Sequence, residues 1–300
     1  MLEKIYVVRH GYRSNWVVNS TTGEYTSSVR TPTGIAADPP LAGYGEIQAR
    51  ELATHLTSIQ PPVDVIFSSP YYRCLQTLSP TVTSLRKSRQ QDVRVRIEHG
   101  LAEFFGRAHF THPRPAALDV LSTHFDFIDH GHTKFIESSV YGESIEALHA
   151  RLAYTLHRLI EMLDAEQGAP RTLLICSHAA SMIAMGRVLT GRMPEDPNEE
   201  DFRVGTCSLS VYERRAGQGQ EGVETWDESR PEAVPELDWQ RGKGVGGGWN
   251  CVANGDCSFL QGGEEKTWRF SGDESFLKDP NAYNEKMNQE KEKATGASRL

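Results

Sequence analysis

Short apolar runs recur along the chain, and each stops at polar or small residues. Lys4 to Val8 is a β-branched and aromatic run that breaks at Arg9-His10-Gly11, which predicts a buried strand ending in a turn. Val63 to Phe67, Val93 to Ile97, Thr172 to Cys176 and Leu209 to Tyr212 predict four further strands. Helical spacing lies between them. Residues 17–40 are rich in Ser, Thr, Gly and Pro and read as a long loop, followed by a helix from Gly43 to about Leu56. Ser68-Ser69-Pro70 predicts hydroxyl caps and an early proline for a helix that carries Arg73 on its opening turns. Ile145, Leu148, Leu152, Leu156, Leu159 and Leu163 recur at spacings of three and four and predict an amphipathic helix. A small-residue helix follows Ser177-His178 and runs to about Leu189. This alternation predicts an α/β protein with a mostly parallel central sheet and helices on both faces.

Two stretches break the pattern. Residues 104–141 show no clean period, and His109, His112, His124, His130 and His132 lie scattered among aromatics, which reads as a lid or insertion whose histidines face solvent. Beyond Arg215 the composition changes, so residues 1–215 form the body and 216–300 a Gly- and Trp-rich extension that packs on the body or on a partner. Residues 221–300 hold 16 acids, 10 bases and 11 of the 26 glycines. Asn254-Gly255 signals a hairpin between 249–252 and 257–260. Gly242, Gly244 and Gly247 satisfy a G-x-G-x-x-G pattern, but no strand precedes it, so it reads as a flexible turn and not a dinucleotide loop. Residues 284–300 lack apolar anchors and are expected to fray.

Charge and cysteine usage narrow the partners. With 32 Lys+Arg against 40 Asp+Glu the formal net charge is -8, so no basic field attracts nucleic acid or anionic lipid directly. Five cysteines without metal-ligand spacing suit a reducing compartment. The N-terminal apolar run is too short for a signal peptide, and no run spans a membrane; cytoplasmic or nuclear residence is expected.

Chemistry concentrates where strands end. Ligands of open α/β sheets bind beyond the carboxyl ends of the strands, and two strands here end at His10 and His178. Arg9 precedes one of these histidines, and Arg73 follows a third strand closely. Two imidazoles and two arginine forks facing one crevice make a phosphate pocket with a nucleophile in it. Glu103, just after the third strand, is the carboxyl group best placed to protonate a leaving oxygen; Glu98, Asp126 and Asp129 are the alternatives. No metal is needed, because arginines supply the charge stabilisation, so no metal or cofactor is expected.

Arg9-His10-Gly11, Asp38-Pro39-Pro40-Leu41 with Gly45 and Gln48-Ala49, Ser68-Ser69-Pro70 with Arg73-Cys74-Leu75-Gln76-Thr77, Glu103, and Ser177-His178-Ala179 together resemble the histidine phosphatase, or phosphoglycerate-mutase-like, superfamily. That resemblance implies that His10 is the phosphorylated nucleophile, His178 the second pocket histidine, Arg9 and Arg73 the phosphate clamps, and Glu103 the acid. Arg13 resembles the extra phosphate-contacting arginine of the eukaryotic tyrosine-phosphatase branch. Tyr12-Arg13 and Trp16 replace residues ordinary in mutases, so hydrolysis is implied in preference to mutase chemistry. Arg9 to Trp16 and the Trp- and Gly-rich tail resemble the fungal branch that includes the 55 kDa tau subunit of the RNA polymerase III transcription factor. Two functions follow as expectations: hydrolysis of a small-molecule or phosphoprotein phosphomonoester, or a non-catalytic interaction subunit that binds a protein partner through the extension.

Overall fold

The protein is described by a computed structural model covering residues 1–216 and 222–271. Its central sheet has seven strands: β1 (Lys4–Arg9), β4 (Val65–Ser68), β5 (Val95–Ile97), β6 (Ile128–Asp129), β7 (Thr172–Ser177), β8 (Leu209–Arg214) and β9 (Trp249–Asp256). Their order is β6-β5-β4-β7-β1-β8-β9. The five strands from β6 to β1 run parallel; β8 is antiparallel to β1, and β9 to β8. In β1, Ile5 and Val7 enter one apolar core while Tyr6 and Val8 enter the other, so both faces of this central strand are buried. That double burial is why the strand reads as an unbroken apolar run.

Helices α1 (Gly43–Ser58) and α2 (Tyr72–Arg89) cover one face; α4 (Ile145–Ala165) and α5 (Ala179–Thr190) cover the other. The predicted leucine stripe of α4 is wholly buried, and Ser144 Oγ caps the helix by accepting from Ala147 N at 3.2 Å. All five cysteines are free thiols. No helix among the described residues is long and apolar enough to cross a membrane.

Four local expectations fail. Ser68 and Ser69 do not cap α2: Ser68 Oγ donates to the Ser69 carbonyl, and Ser69 Oγ lies 2.7 Å from His178 Nε2. The Asp38 carboxylate instead accepts from the opening amide of α2, Tyr72 N, at 2.8 Å. Asn254-Gly255 does not turn a hairpin. β9 continues through both residues along β8 with a bulge there, Ser210 facing Asn254 and Gly255 between the Leu209–Asp256 and Val211–Ala253 pairs, and Asn254 Oδ1 accepts from Arg203 N. Gly255 sits at φ +66, with the Arg203 carbonyl 2.4 Å from where a Cβ would lie. The 17–40 loop contains a two-stranded ribbon, β2 (Trp16–Val18) with β3 (Tyr25–Ser27). The glycine turn near 244 is packed, with Val245 buried and Arg215 donating to the Gly242 and Lys243 carbonyls.

Residues 104–141 divide in two. Helix α3 (Leu118–Ser122), Phe125, Phe127 and β6 build the sheet edge and its core, so this half is not a lid. The other half, from Phe105 to Pro113, packs against Trp16, Tyr25 and Tyr71. His112 is buried rather than solvent-facing, bound by the Tyr25 hydroxyl and the Gly106 carbonyl. The extension buries Trp239, Trp249 and Phe270 against the α4 and α5 core. The fraying expected for 284–300 lies outside the described residues.

Candidate active site

The pocket opens at the carboxyl edge of the sheet, where β1 and β7 lie side by side, with Arg9 paired to Ser177. The imidazoles of His10 and His178 meet edge to face with centroids 5.3 Å apart. His10 Nδ1 is 2.8 Å from the Gly11 carbonyl, which can only accept, so the proton sits on Nδ1 and the Nε2 lone pair is free. The turn that holds His10 is pressed onto α1: a Cβ on Gly45 would lie 2.0 Å from the Tyr12 carbonyl. Gln48 locks it by accepting from Tyr12 N at 2.9 Å.

Arg73 enters from the first turn of α2, a position where the helix dipole disfavours a cation. Asp38 offsets this by accepting from Tyr72 N and from Arg73 Nη1, the latter at 3.0 Å, with both side chains wholly buried. Arg73 Nη2 lies 3.0 Å from Glu103 Oε2 and 3.2 Å from His178 Nδ1, while its Nε has no partner. Arg9 Nη1 donates to the Val204 and Lys266 carbonyls at 2.6 and 2.5 Å, and its Nε is likewise unpartnered. Arg13 lies against the Trp16 ring, and its charge acts on His10. The N-termini of α2 and α5 also point here, adding positive potential.

These surroundings push the two imidazoles apart. Burial, reinforced by Arg73, His178, Arg9 and Arg13, holds His10 well below the usual imidazole value. Burial also opposes charge on His178, but the adjacent Cys74 sulfur and Glu103 carboxylate outweigh it and raise its value. Burial would raise Glu103, yet His178 and Arg73 overcome that and hold it well below the carboxylate range. The free protein therefore carries neutral His10 and ionised Glu103. The pocket combines a neutral imidazole nitrogen with guanidinium groups, a set able to attack phosphorus and to bind anions.

All six residues singled out from the sequence come to this pocket: Arg9, His10, Arg13, Arg73, Glu103 and His178. The alternative acids are engaged elsewhere. Glu98 binds Gly100 N, Phe135 N and His132, and Asp126 and Asp129 pair with Arg86 and Arg96. Sequence reasoning gave no role to the contacts of Asp38, Ser69 and Gln48, although all three lie in the motifs quoted above, and it had no signal at all for the Lys266 carbonyl. Among the described residues, the one cluster with metal-ligand spacing is His10, Glu103 and His178, with ligand atoms within 4.8 Å of one another. The guanidinium groups crowding it disfavour a cation.

Replacing Asp38 with asparagine leaves the Arg73 charge buried against one fewer anion. A loss of about 3 kcal/mol or more is expected, read as a Tm lower by roughly 10 °C in a melting experiment. An unchanged Tm would show that the pair does not hold the pocket together.

Fold and pocket together define an α/β protein of phosphoglycerate-mutase-like topology with imidazole and guanidinium groups clustered at the carboxyl edge of its sheet. The chain belongs to the histidine phosphatase superfamily (branch 1), whose sequence profile matches residues 5–227. It is 32% identical over 276 residues to the transcription factor tau 55 kDa subunit of Saccharomyces cerevisiae, covering 90% of this chain and 59% of the subunit. It is 25% identical over 260 residues to the ecdysteroid-phosphate phosphatase of Drosophila melanogaster, covering 77% of this chain and 32% of that protein. The chain thus spans well under two thirds of the length of these relatives. The solved ecdysone phosphate phosphatase of Bombyx mori, in complex with tungstate, shares the fold at 17% identity and a TM-score of 0.53, covering 75% of this chain and 98% of that one.

Proposed function

We propose that the chain is a metal-independent phosphomonoester hydrolase that works through a phosphohistidine on His10. The observation that carries this reading is the Gly11 carbonyl at 2.8 Å from His10 Nδ1, which leaves Nε2 unprotonated among three arginines. A phosphoryl dianion binds to the free Nε of Arg9, to Arg13 and to Arg73, with protonated His178 adding positive charge beside them. In taking Arg73 it weakens the hold on Glu103, whose pKa rises, so that a proton is taken up with the substrate. His10 Nε2 attacks phosphorus, the bond to the leaving oxygen breaks, and Glu103 gives that oxygen its proton. Water then attacks the phosphohistidine, the P–N bond breaks, and Glu103 recovers a proton from the water.

The pH consequence follows from the two directions. Protonated Glu103 is needed and its free-protein value is depressed, so kcat/KM rises as pH falls from neutrality. Neutral His10 is needed and its value is also depressed, so it survives that fall and the optimum lies on the acid side. The test is hydrolysis of an alkyl phosphate by the purified protein across pH, with and without EDTA. Turnover that resists chelation and increases into mild acid is expected; no turnover, or its loss with EDTA, overturns the reading. The substrate class is a small-molecule or phosphoprotein phosphomonoester, and the ecdysteroid-phosphate phosphatase relative favours hydrolysis of this kind.

A second reading is favoured by one observation: similarity to the tau 55 kDa subunit extends over 90% of the chain, extension included. In that reading the body is a scaffold in a nuclear transcription-factor assembly and the extension docks a protein partner. Stoichiometric recovery from cells in such an assembly, together with undetectable turnover, would put it first.

A further inference from the structure

We infer that residues 264–266 of the C-terminal extension are a positioning element of the phosphate pocket, acting through the Lys266 carbonyl on Arg9. The inference rests on the phosphatase reading and deepens it, since it assigns to the extension a part in substrate binding.

Arg9 lies at the end of β1, and its Nη1 is spent on two carbonyls more than 190 residues away in sequence: Val204 O at 2.6 Å and Lys266 O at 2.5 Å. That anchoring leaves the buried Nε without a partner, a donor that an oxyanion bound beside Arg9 would satisfy. A second connection runs in parallel. Thr206 N donates to the Glu265 carbonyl at 3.0 Å, Gln48 Nε2 donates to Thr206 Oγ1 at 2.9 Å, and Gln48 Oε1 accepts from Tyr12 N. The extension thus braces both sides of His10-Gly11, through Arg9 and through Tyr12. Lys266 Nζ lies 5.5 Å from the centre of the Tyr12 ring.

Backbone conformation marks the same place. Among the described residues four non-glycine residues have positive φ: Gln90, Cys207, Arg241 and Lys266. Gln90 merely ends α2, and Arg241 is exposed on the extension beside Gly191. Cys207 and Lys266 flank Arg9 and His10: Cys207 N faces the His10 carbonyl at 3.5 Å, and Lys266 at φ +51 presents its carbonyl to Arg9. Left-handed backbone is costly for L-residues and is held where the surroundings over-determine it. At 266 the surroundings are the guanidinium that this carbonyl holds.

The experiment measures inorganic phosphate binding by calorimetry on the full chain, which needs no turnover. Lys266→Pro locks φ near −65° and cannot present the carbonyl; Lys266→Val keeps the amide but disfavours positive φ through its branched Cβ. Each is expected to weaken phosphate binding about tenfold, the worth of one charge-assisted hydrogen bond. Arg241→Pro imposes the same backbone conflict on the extension away from Arg9, and should lower Tm without weakening phosphate binding. In an Arg9→Ala background, Lys266→Pro should add less than about twofold, because both changes remove the same contact. If Lys266→Pro fails to fold, Lys266→Val carries the comparison. Unchanged phosphate affinity in the folded 266 variants, or an equal loss with Arg9 already absent, overturns the inference. Wild-type protein that binds phosphate without hydrolysing esters, with the 266 effect intact, would sink the hydrolase reading alone.

Discussion

Replacing His10 with alanine is expected to lower turnover of every phosphomonoester substrate on the order of 10⁴-fold or more, since no other group supplies the nucleophile. His10 is the pocket imidazole with a free lone pair: its Nδ1 proton is committed to Gly11, while His178 has both nitrogens within bonding reach of Ser69, Arg73 and Glu103. Inorganic phosphate should still bind to the alanine variant, because Arg9, Arg13 and Arg73 remain. Kinetics and calorimetry on one preparation separate these terms. Comparable kcat in wild type and variant would remove His10 from the chemistry, and loss of phosphate binding together with Tm would reduce it to a structural residue.

The second large effect is at Glu103, and it has two opposite parts. In the free protein Glu103 holds Arg73 Nη2 at 3.0 Å and so competes with any incoming anion. Glu103→Gln removes that negative charge, and inorganic phosphate should bind more tightly, by several-fold or more. The same change removes the carboxyl group to which the proposed mechanism gives the proton-donating role. Alkyl phosphates, whose alcohols leave poorly without a proton, should lose about 10²–10⁴ in rate. 4-Nitrophenyl phosphate, with a leaving group that needs little protonation, should lose much less. The acid-side rise in kcat/KM should flatten with it, since that limb reports the depressed carboxyl. Equal losses on both ester types would show that Glu103 is not the leaving-group acid. Weaker phosphate binding would show that its charge does not compete for Arg73.

Much of this protein can be read from the chain itself. The strands at Lys4–Arg9 and Thr172–Ser177 were visible because burial on both faces demands continuous apolar residues. The α4 stripe was visible because helical packing needs apolar residues every three or four positions. Arg9, His10 and His178 stood out because they interrupt such runs at the edge where open sheets bind ligands. Arg73 and Glu103 were reached by the same reasoning, one step further from a strand end.

Other features had no local signature because a distant atom outcompeted the nearby one. Ser68 and Ser69 have the right chemistry to cap α2, but Asp38 accepts from Tyr72 N while Ser69 turns to His178. Asn254-Gly255 has the chemistry of a hairpin, but the pair forms a bulge in a strand that lies along β8, with Asn254 Oδ1 accepting from Arg203 N. The carbonyls that anchor Arg9 belong to Val204 and Lys266, and a carbonyl carries no residue identity to recognise. The protonation of Glu103 is also a tertiary property. Its value depends on Arg73 and His178 at 3.0 and 3.2 Å, arriving from α2 and from the end of β7. The sequence by itself thus determined the strands and helices of the body that carry a clear apolar period and which side chains carry charge or an imidazole, because periodicity and residue type are local. Only the tertiary structure decided which atoms those groups meet, and with them the proton positions and the place of the extension, because electrostatics and backbone pairing act across space.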